Sequence, residues 1–481
     1  HDMALLYLVV QLYKGSFGTP HFMPWDHLEA AGHWYIDTMA PDGWTLDFGD
    51  SNKTHAWGTS APLMATLARE WALDEPTGID PCLAQAYWAR KYYGHGFNKP
   101  WMMHSWMARD WPAIIAACDV EPPPAEITTY PVGGWSMLKT YTPGVSGLTE
   151  GLAPTHKGRD ADKTLLAASS VPNTYAHMES DFGTLIWSAQ GSRLLADIGY
   201  GSQSKDIYSI QKKIDDVVYE QSDNNPMGHS TLYIPEATFE HSSNGLLLNS
   251  SQVKGGIGTI AVGQWGDMTG VHMDGAYVYG KIEGNPAYEE AEEYGWLEAF
   301  DRWLIQLPGG HFLVADSFLA RADRGPVSAA ETWMFAHDPF DDPADCKYNK
   351  LHVDATRLDD HTVQLEPACV TVFYEQQSAA VGQILAASRT PGQFTEPEVF
   401  ENRKQWSGST VHKRVRYEPE TPVDHDARVF ALLAAPSAEA LPVATLLEVT
   451  CADPDDVCFD LTMDGVVTAI DFDWDGARHV L

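Results

Sequence analysis

Residues Asn173–Gly199 read NTYAHMESDFGTLIWSAQGSRLLADIG. Between His177 and Asp181 every second residue is ionisable, and in an extended strand such residues share one face. Three polar groups on one face are costly to bury unless they meet a metal, a substrate or each other. The flanks are apolar: Phe182, Leu185, Ile186 and Trp187 precede a turn at Gln190–Gly191, and Leu194 and Leu195 follow it. This pattern predicts a buried hairpin carrying a polar site, with Asp197 at its exit and His229 in the later segment GHSTLYI. His177 can exchange a proton near neutral pH. Glu179 and Asp197 are hard oxygen donors, and His229 adds a nitrogen. Ordinary structural roles compete: a solvated strand face for His177 and Glu179, a turn Asp for Asp197, a capped turn for His229.

Upstream, residues to about 120 read as helical. Ala4–Tyr13 has the look of a buried helix, Asp26–Met39 can follow a cap at Asp26, and Ser60–Leu73 repeats apolar residues at helical spacing. Cys82–Tyr93 ends at Gly94, and His104–Ala117 is amphipathic and rich in Trp. The prolines of Glu121–Pro124, EPPP, cannot continue a helix. Beyond them the pattern changes to short strands: Trp135–Tyr141, Thr164–Ala168, Thr184–Trp187, Ser230–Ile234, Ala276–Ile282, Trp303–Leu307, Phe312–Ala315 and Thr362–Leu365. Gly, Asn and Pro turns between them predict large antiparallel sheets, with a smaller all-β tail from about Gln405 to Leu481.

A chain of 481 residues exceeds one ordinary core, so two or three domains are expected. Its 17 Trp, 20 Tyr and 17 Phe, within 44% hydrophobic residues, mark a packed globular protein. Ala4–Tyr13 is half the roughly 20 residues of a membrane span, which predicts a soluble protein with no membrane partner. A net charge of −35 argues against nucleic acid. The six cysteines include no CxxC pair. Cys451 and Cys458 flank an acidic turn and Cys346 and Cys369 bracket an expected hairpin, so either pair can be a disulfide or two thiols. The opening HDMALLYL has neither an initiator Met nor a signal peptide, as in a mature, processed or fragmentary chain.

The order PVGGWSMLKT, HMESDFGTLIWSAQGSRLLADIGYG, GHSTLYI and RWLIQLPGGHFLVADSF resembles the β-sandwich half of heparinase II/III-type polysaccharide lyases. That family typically shows HxHxD, a Gly about ten residues later, an Asp-x-Gly six further on, and an HNT-like turn. Here Asp181 to Gly191 is ten residues, Gly191 to Asp197 is six, and His229-Ser230-Thr231 stands at the turn. The resemblance covers roughly residues 130–340 and reaches back to FGDSN at Phe48–Asn52. It implies an α+β multidomain chain. Residues 1–120 would form a helical, incomplete α/α toroid, residues 125–400 an antiparallel β-sandwich, and residues 401–481 a small C-terminal β-rich domain.

By the same resemblance His177 is an acid/base residue beside a uronate ring, and Glu179, Asp197 and His229 fall on a metal site. Glu179 departs from the family's His, so zinc, manganese, calcium or no metal fits the set. The ion would be structural, and no organic cofactor is implied. The family's catalytic Tyr lies near the start of the helix preceding FGDSN, which makes Tyr7 the catalytic candidate against a core-packing role. The partner of that Tyr would precede His1, and about five helices are too few to close a ring. Asn52, His55 and Trp57, in a Gly-rich aromatic loop, are substrate-binding candidates or ordinary loop packing. Arg302 reads as a structural ion pair and His337 as a core histidine. The implied activity is β-elimination of a 4-O-linked uronic-acid polysaccharide, alginate first and a glycosaminoglycan or ulvan next. The alternatives are a uronosyl C5-epimerase and a non-catalytic carbohydrate-binding protein; no carboxylate pair marks a glycoside hydrolase. An anionic polysaccharide is the expected partner and a secreted or periplasmic bacterial location the expected place, with homo-oligomer formation left open.

Overall fold

The central hairpin is present. Leu185–Ala189 and Ser192–Leu195 are antiparallel, and every residue of both strands is buried. The computed structural model describes residues 125–141, 163–170, 180–189, 192–197, 211–214, 217–220, 226–240, 247–252, 258–279, 295–336, 351–372, 375–376, 380–404, 408–436, 438–475 and 479–481, with Trp34, Asp37, Thr38, Ala40, Leu46 and Phe48. The hairpin closes a five-stranded sheet ordered Ala125–Tyr130, Trp135–Tyr141, Lys163–Ser169, Leu185–Ala189, Ser192–Leu195.

A nine-stranded antiparallel sheet runs Thr259–Trp265, Met268–Asp274, Leu297–Leu307, His311–Ala320, His425–Ala435, Val381–Ser388, Thr362–Val372, Leu351–Asp359, with Glu375–Gln376 as a branch. A seven-stranded sheet contains Glu398–Lys404, Gly408–Pro419, Ala330–Ala336 and Leu232–Tyr233. Four further strands, Ala444–Val449, Val457–Met463, Val466–Trp474 and His479–Val480, form a separate small sheet.

The central strands of the nine-stranded sheet are buried on both faces, which explains the almost continuous apolar run HFLVADSFLA at His311–Ala320. Phe312, Val314 and Phe318 join the main core with Leu166, Trp187 and Trp333. Their neighbours Leu313 and Ala315 point the other way and pack with Phe459, Leu461 and Phe472 of the small sheet. The five-stranded sheet is also covered twice: Met137, Leu165, Ala167 and Ile186 meet Ala40, Leu46 and Phe48. Lys139 Nζ donates to Asp37 Oδ1 at 2.9 Å and the Tyr130 hydroxyl to Asp37 Oδ2 at 2.7 Å, fixing that segment to the sheet.

The α+β expectation is corrected. The described residues are overwhelmingly antiparallel β-structure and contain no α/α toroid. Among them the one α-helix with defined ends is the single turn Ala276–Tyr279; Trp34 and Asp37 are also helical. The expected helices Ala4–Tyr13, Ser60–Leu73, Cys82–Tyr93 and His104–Ala117 lie outside the described residues. The strand expected at Ala276–Ile282 is that helical turn instead. Asp274 Oδ1 accepts the Ala276 amide, and the Val278 and Tyr279 amides return to Gly275 O, so a local cap overrides the β-forming residues Tyr277 and Val278. The boundary at residue 401 also moves. Gly408–Pro419 and His425–Ala435 are interior strands of two sandwich sheets, and the separate sheet starts at Ala444. Cys451 and Cys458 are disulfide-bonded at the turn of that small sheet. Among the described residues no helix is long and apolar enough to cross a membrane.

Candidate functional site

The hairpin delivers Asp197 to a fixed place. The Ala196 amide donates to Met334 O at 3.1 Å, which pins the strand exit to Ala330–Ala336, and Asp197 follows fully buried. Its Oδ2 accepts from Thr184 Oγ1 at 3.0 Å and faces His229 Nδ1 at 3.0 Å. His229 is presented by the one-turn 3-10 helix Pro226–Gly228, its amide bonded to Pro226 O. The same Thr184 hydroxyl accepts the Ser230 amide, and Thr231 Oγ1 donates to Phe182 O at 2.5 Å. Two segments 32 residues apart at Asp197 and His229 are thereby sewn together by short polar side chains.

Beneath them lies Arg302, fully buried. Its Nε and Nη2 grip Asp316 at 2.8 and 2.7 Å, and Nη2 also reaches Glu331 Oε2 at 2.6 Å. Nη1 donates to Gly183 O at 2.6 Å and Ser230 O at 2.9 Å, so one guanidinium orients the turn whose Thr184 bonds Asp197 and the segment that carries His229. Gly183 has φ of 78°, and a Cβ there would meet Arg302 Nη1 at 3.4 Å; only glycine allows this turn to approach the cation at no cost. One cation stands between two carboxylates. Asp316 is held by two of the guanidinium's bonds, while burial and then the nearby Asp316 push the Glu331 carboxyl well above its ordinary range, against Arg302 and Arg428. Tyr279 completes the floor: its hydroxyl donates to Leu232 O and accepts from Gln252 Nε2, both at 3.0 Å. Burial drives that phenol far up, so it serves as a fixed donor and not as a proton shuttle.

No family model and no curated protein matches the chain. Among solved structures it is similar to a heparinase III gene product, with a TM-score of 0.52 at 10% identity, covering 94% of this chain and 54% of that one. The methylated-lysine form gives 0.54 at 11% identity, covering 95% and 54%. The chain has the fold of a heparinase-like polysaccharide lyase. A heparan sulfate lyase from Pedobacter heparinus aligns more loosely, with a TM-score of 0.49 at 14% identity over 93% and 53% of the two chains. The chain spans about half the length of these structures.

Within this heparinase-like fold, Asp197 and His229 come together, while His177, Glu179, Tyr7, Asn52, His55, Trp57 and His337 lie outside the described residues. Asp181 is not in a strand with its upstream neighbours. It starts a turn closed by the Thr184 amide on Asp181 O at 2.8 Å, and regular pairing begins at Leu185. The 3.0 Å between His229 Nδ1 and Asp197 Oδ2 suits a hydrogen bond. It also approaches the donor spacing of about 3.3 Å that two bonds of ~2.0 Å subtend at a tetrahedral ion. The pair therefore fits a metal site as two donors. Among the described residues no third donor joins them, and Glu179, the expected third, lies outside. Arg302 is the buried ion pair expected from its sequence, but its partners Asp316 and Glu331 were not foreseen. The signal was available: Arg302 and Asp316 are equidistant from Gly309 in RWLIQLPGGHFLVAD and pair directly across the hairpin.

Proposed function

We propose that the protein is a lyase breaking 4-O-linked uronic-acid polysaccharide by β-elimination. The observation that carries this reading is the heparinase-like fold combined with the packing of Asp197 against His229, on the loops that follow His177 in sequence. In the proposed reaction a base takes the C5 proton, the C4–O4 bond breaks, a C4–C5 double bond forms, and O4 leaves with a proton from an acid. His177 and Tyr7 are the assigned proton-transfer residues, and Asn52, His55 and Trp57 hold the sugar and its carboxylate. The uronate carboxylate must be neutralised for its C5 proton to become acidic, so the cleft has to be locally basic against the net charge of −35.

Glu179, Asp197 and His229 would hold a structural zinc, manganese or calcium ion. Such an ion, when bound, supplies a cross-link between the hairpin exit and the turn at His229. Alginate is the first substrate to test, then a glycosaminoglycan and ulvan. A secreted or periplasmic site of action agrees with the Cys451–Cys458 disulfide, which persists in oxidising compartments. The test is ultraviolet absorbance of the new double bond during incubation with those polymers. A rise with one polymer, abolished by His177→Ala, supports the reading; a flat trace with all of them refutes it.

A further inference from the structure

A groove of about 1020 Å³ lies where three sheets meet, away from the Asp197–His229 pair. Its walls are the turn Trp265–Met268, the turn at Pro308–Gly310 and the strand segment Val467–Asp471. The frame is rigid. Gln306 Nε2 donates to Glu126 O at 3.1 Å and Lys139 O at 2.9 Å, tying the nine-stranded to the five-stranded sheet. At Gly310, with φ of 82°, a Cβ would lie 3.1 Å from Thr164 Oγ1, so the turn is seated directly on that sheet.

The lining chemistry is selective. Trp265 is half-buried, and its ring lies across Gly263, where an added Cβ would come within 2.5 Å of it; the indole is held against its own strand. Thr140, Thr269 and Thr468 supply hydroxyls, and the exposed Asp267 and Asp471 supply carboxylates. Among the described residues Val466–Trp474 is paired along its length on one side, and on the other only at Asp473 and Trp474. Its Val467–Asp471 edge therefore offers backbone N–H and C=O groups to the groove. Among the described residues no Lys, Arg or His lines it.

An aromatic face, carboxylate acceptors and a row of backbone donors and acceptors match a pyranose, with its apolar C–H face and its rim of hydroxyls. The two carboxylates, with no Lys, Arg or His among the described lining residues, repel a uronate or a sulfated sugar. The volume is at the upper end of small-molecule sites, about 300–1000 Å³, and suits several linked rings. We infer that this groove is a second carbohydrate site, holding an uncharged oligosaccharide segment. It stands apart from the lyase reading, since it uses none of the residues assigned there.

The test is native affinity electrophoresis of the full chain through gels containing soluble β-glucan, mannan, galactan or xylan, with alginate as the anionic comparison. At least one neutral polymer is expected to retard the protein. Trp265→Ala should weaken that retardation at least tenfold. Ala469→Arg, at an exposed position of the groove wall, should do the same with an unchanged melting temperature, which covers the case of Trp265→Ala failing to fold. Retardation by no neutral polymer, retardation by alginate alone, or retardation unaltered in Ala469→Arg would each overturn the inference.

Discussion

Replacing Arg302 by Met keeps most of the side-chain volume and removes every donor it supplies. The arginine is fully buried and makes five hydrogen bonds: two to Asp316, one to Glu331, and one each to Gly183 O and Ser230 O. Breaking a buried ion pair from one side costs about 3–5 kcal/mol, because the surviving charge has no partner. Each stranded carbonyl adds about 1 kcal/mol or more. Glu331, already disposed to keep its proton, relieves part of this by staying neutral, so the net loss should be about 4 kcal/mol. With a denaturant slope of roughly 3 kcal/mol per molar urea, the unfolding midpoint falls by about 1.3 M. Arg302→Lys should recover less than half, since a point charge cannot reach both loops and grip a carboxylate twice. The loops report separately: amide exchange at Ser230 and Thr231 should speed up in both variants. A midpoint shift below about 0.3 M in Arg302→Met would refute the assignment of Arg302 as the clamp on these loops.

Three further outcomes follow from other groups. The folded Glu331 carboxyl holds its proton more tightly than the unfolded chain, whose value is 4.5. The unfolded state therefore deprotonates first, and stability falls as pH rises from about 4.5 through the neutral range. Glu331→Gln should flatten that decline, and identical slopes between pH 5 and 8 in urea titrations would count against it. His479 behaves oppositely: burial, then Arg389 and His425, push it from 6.5 down to about 4, so the unfolded chain takes up a proton first as pH falls. Stability should be lost between those values, and His479→Phe should keep the His479–Val480 strand protected from amide exchange at pH 5. Replacing both Cys451 and Cys458 by Ser frees a loop with a sequence separation of 7. The chain-entropy estimate is a loss of about 2 kcal/mol, visible as a lower melting temperature of the small sheet, and no change would show the turn to be held without the bond.

Much of the sandwich could be read from local pattern. Trp135–Tyr141 has the expected ends, and the Leu185–Ala189 hairpin was marked by its apolar run and a Gly at the turn. Asp197 and His229 were grouped in the sequence by their place on one hairpin and the segment after it and by the family resemblance; the Thr184 hydroxyl that bonds both segments was not foreseen. What escaped was whatever depends on register between distant strands. Glu331 reaches Arg302 only because Ala330–Ala336 passes beside it in a different sheet. Residues Tyr277 and Val278 favour a strand, and a single Asp274 cap decides otherwise. The boundary at 401 moved for a similar reason, since the order of strands along the chain does not reveal that a later strand returns to an earlier sheet.

That returning strand governs how the molecule can be assembled. His425–Ala435 lies between His311–Ala320 and Val381–Ser388, pairing with both along most of its length. Both neighbours leave the ribosome first, each with a row of unsatisfied backbone groups waiting for a partner up to 120 residues away, as for Phe312 and Leu432. The central sheet is therefore completed late in synthesis, and until then the nascent chain carries two open templates for intermolecular pairing. A chain cut ahead of His425 keeps Asp197, His229, Thr184 and Arg302 yet should accumulate as aggregate, because the wedge that closes the sheet has been removed.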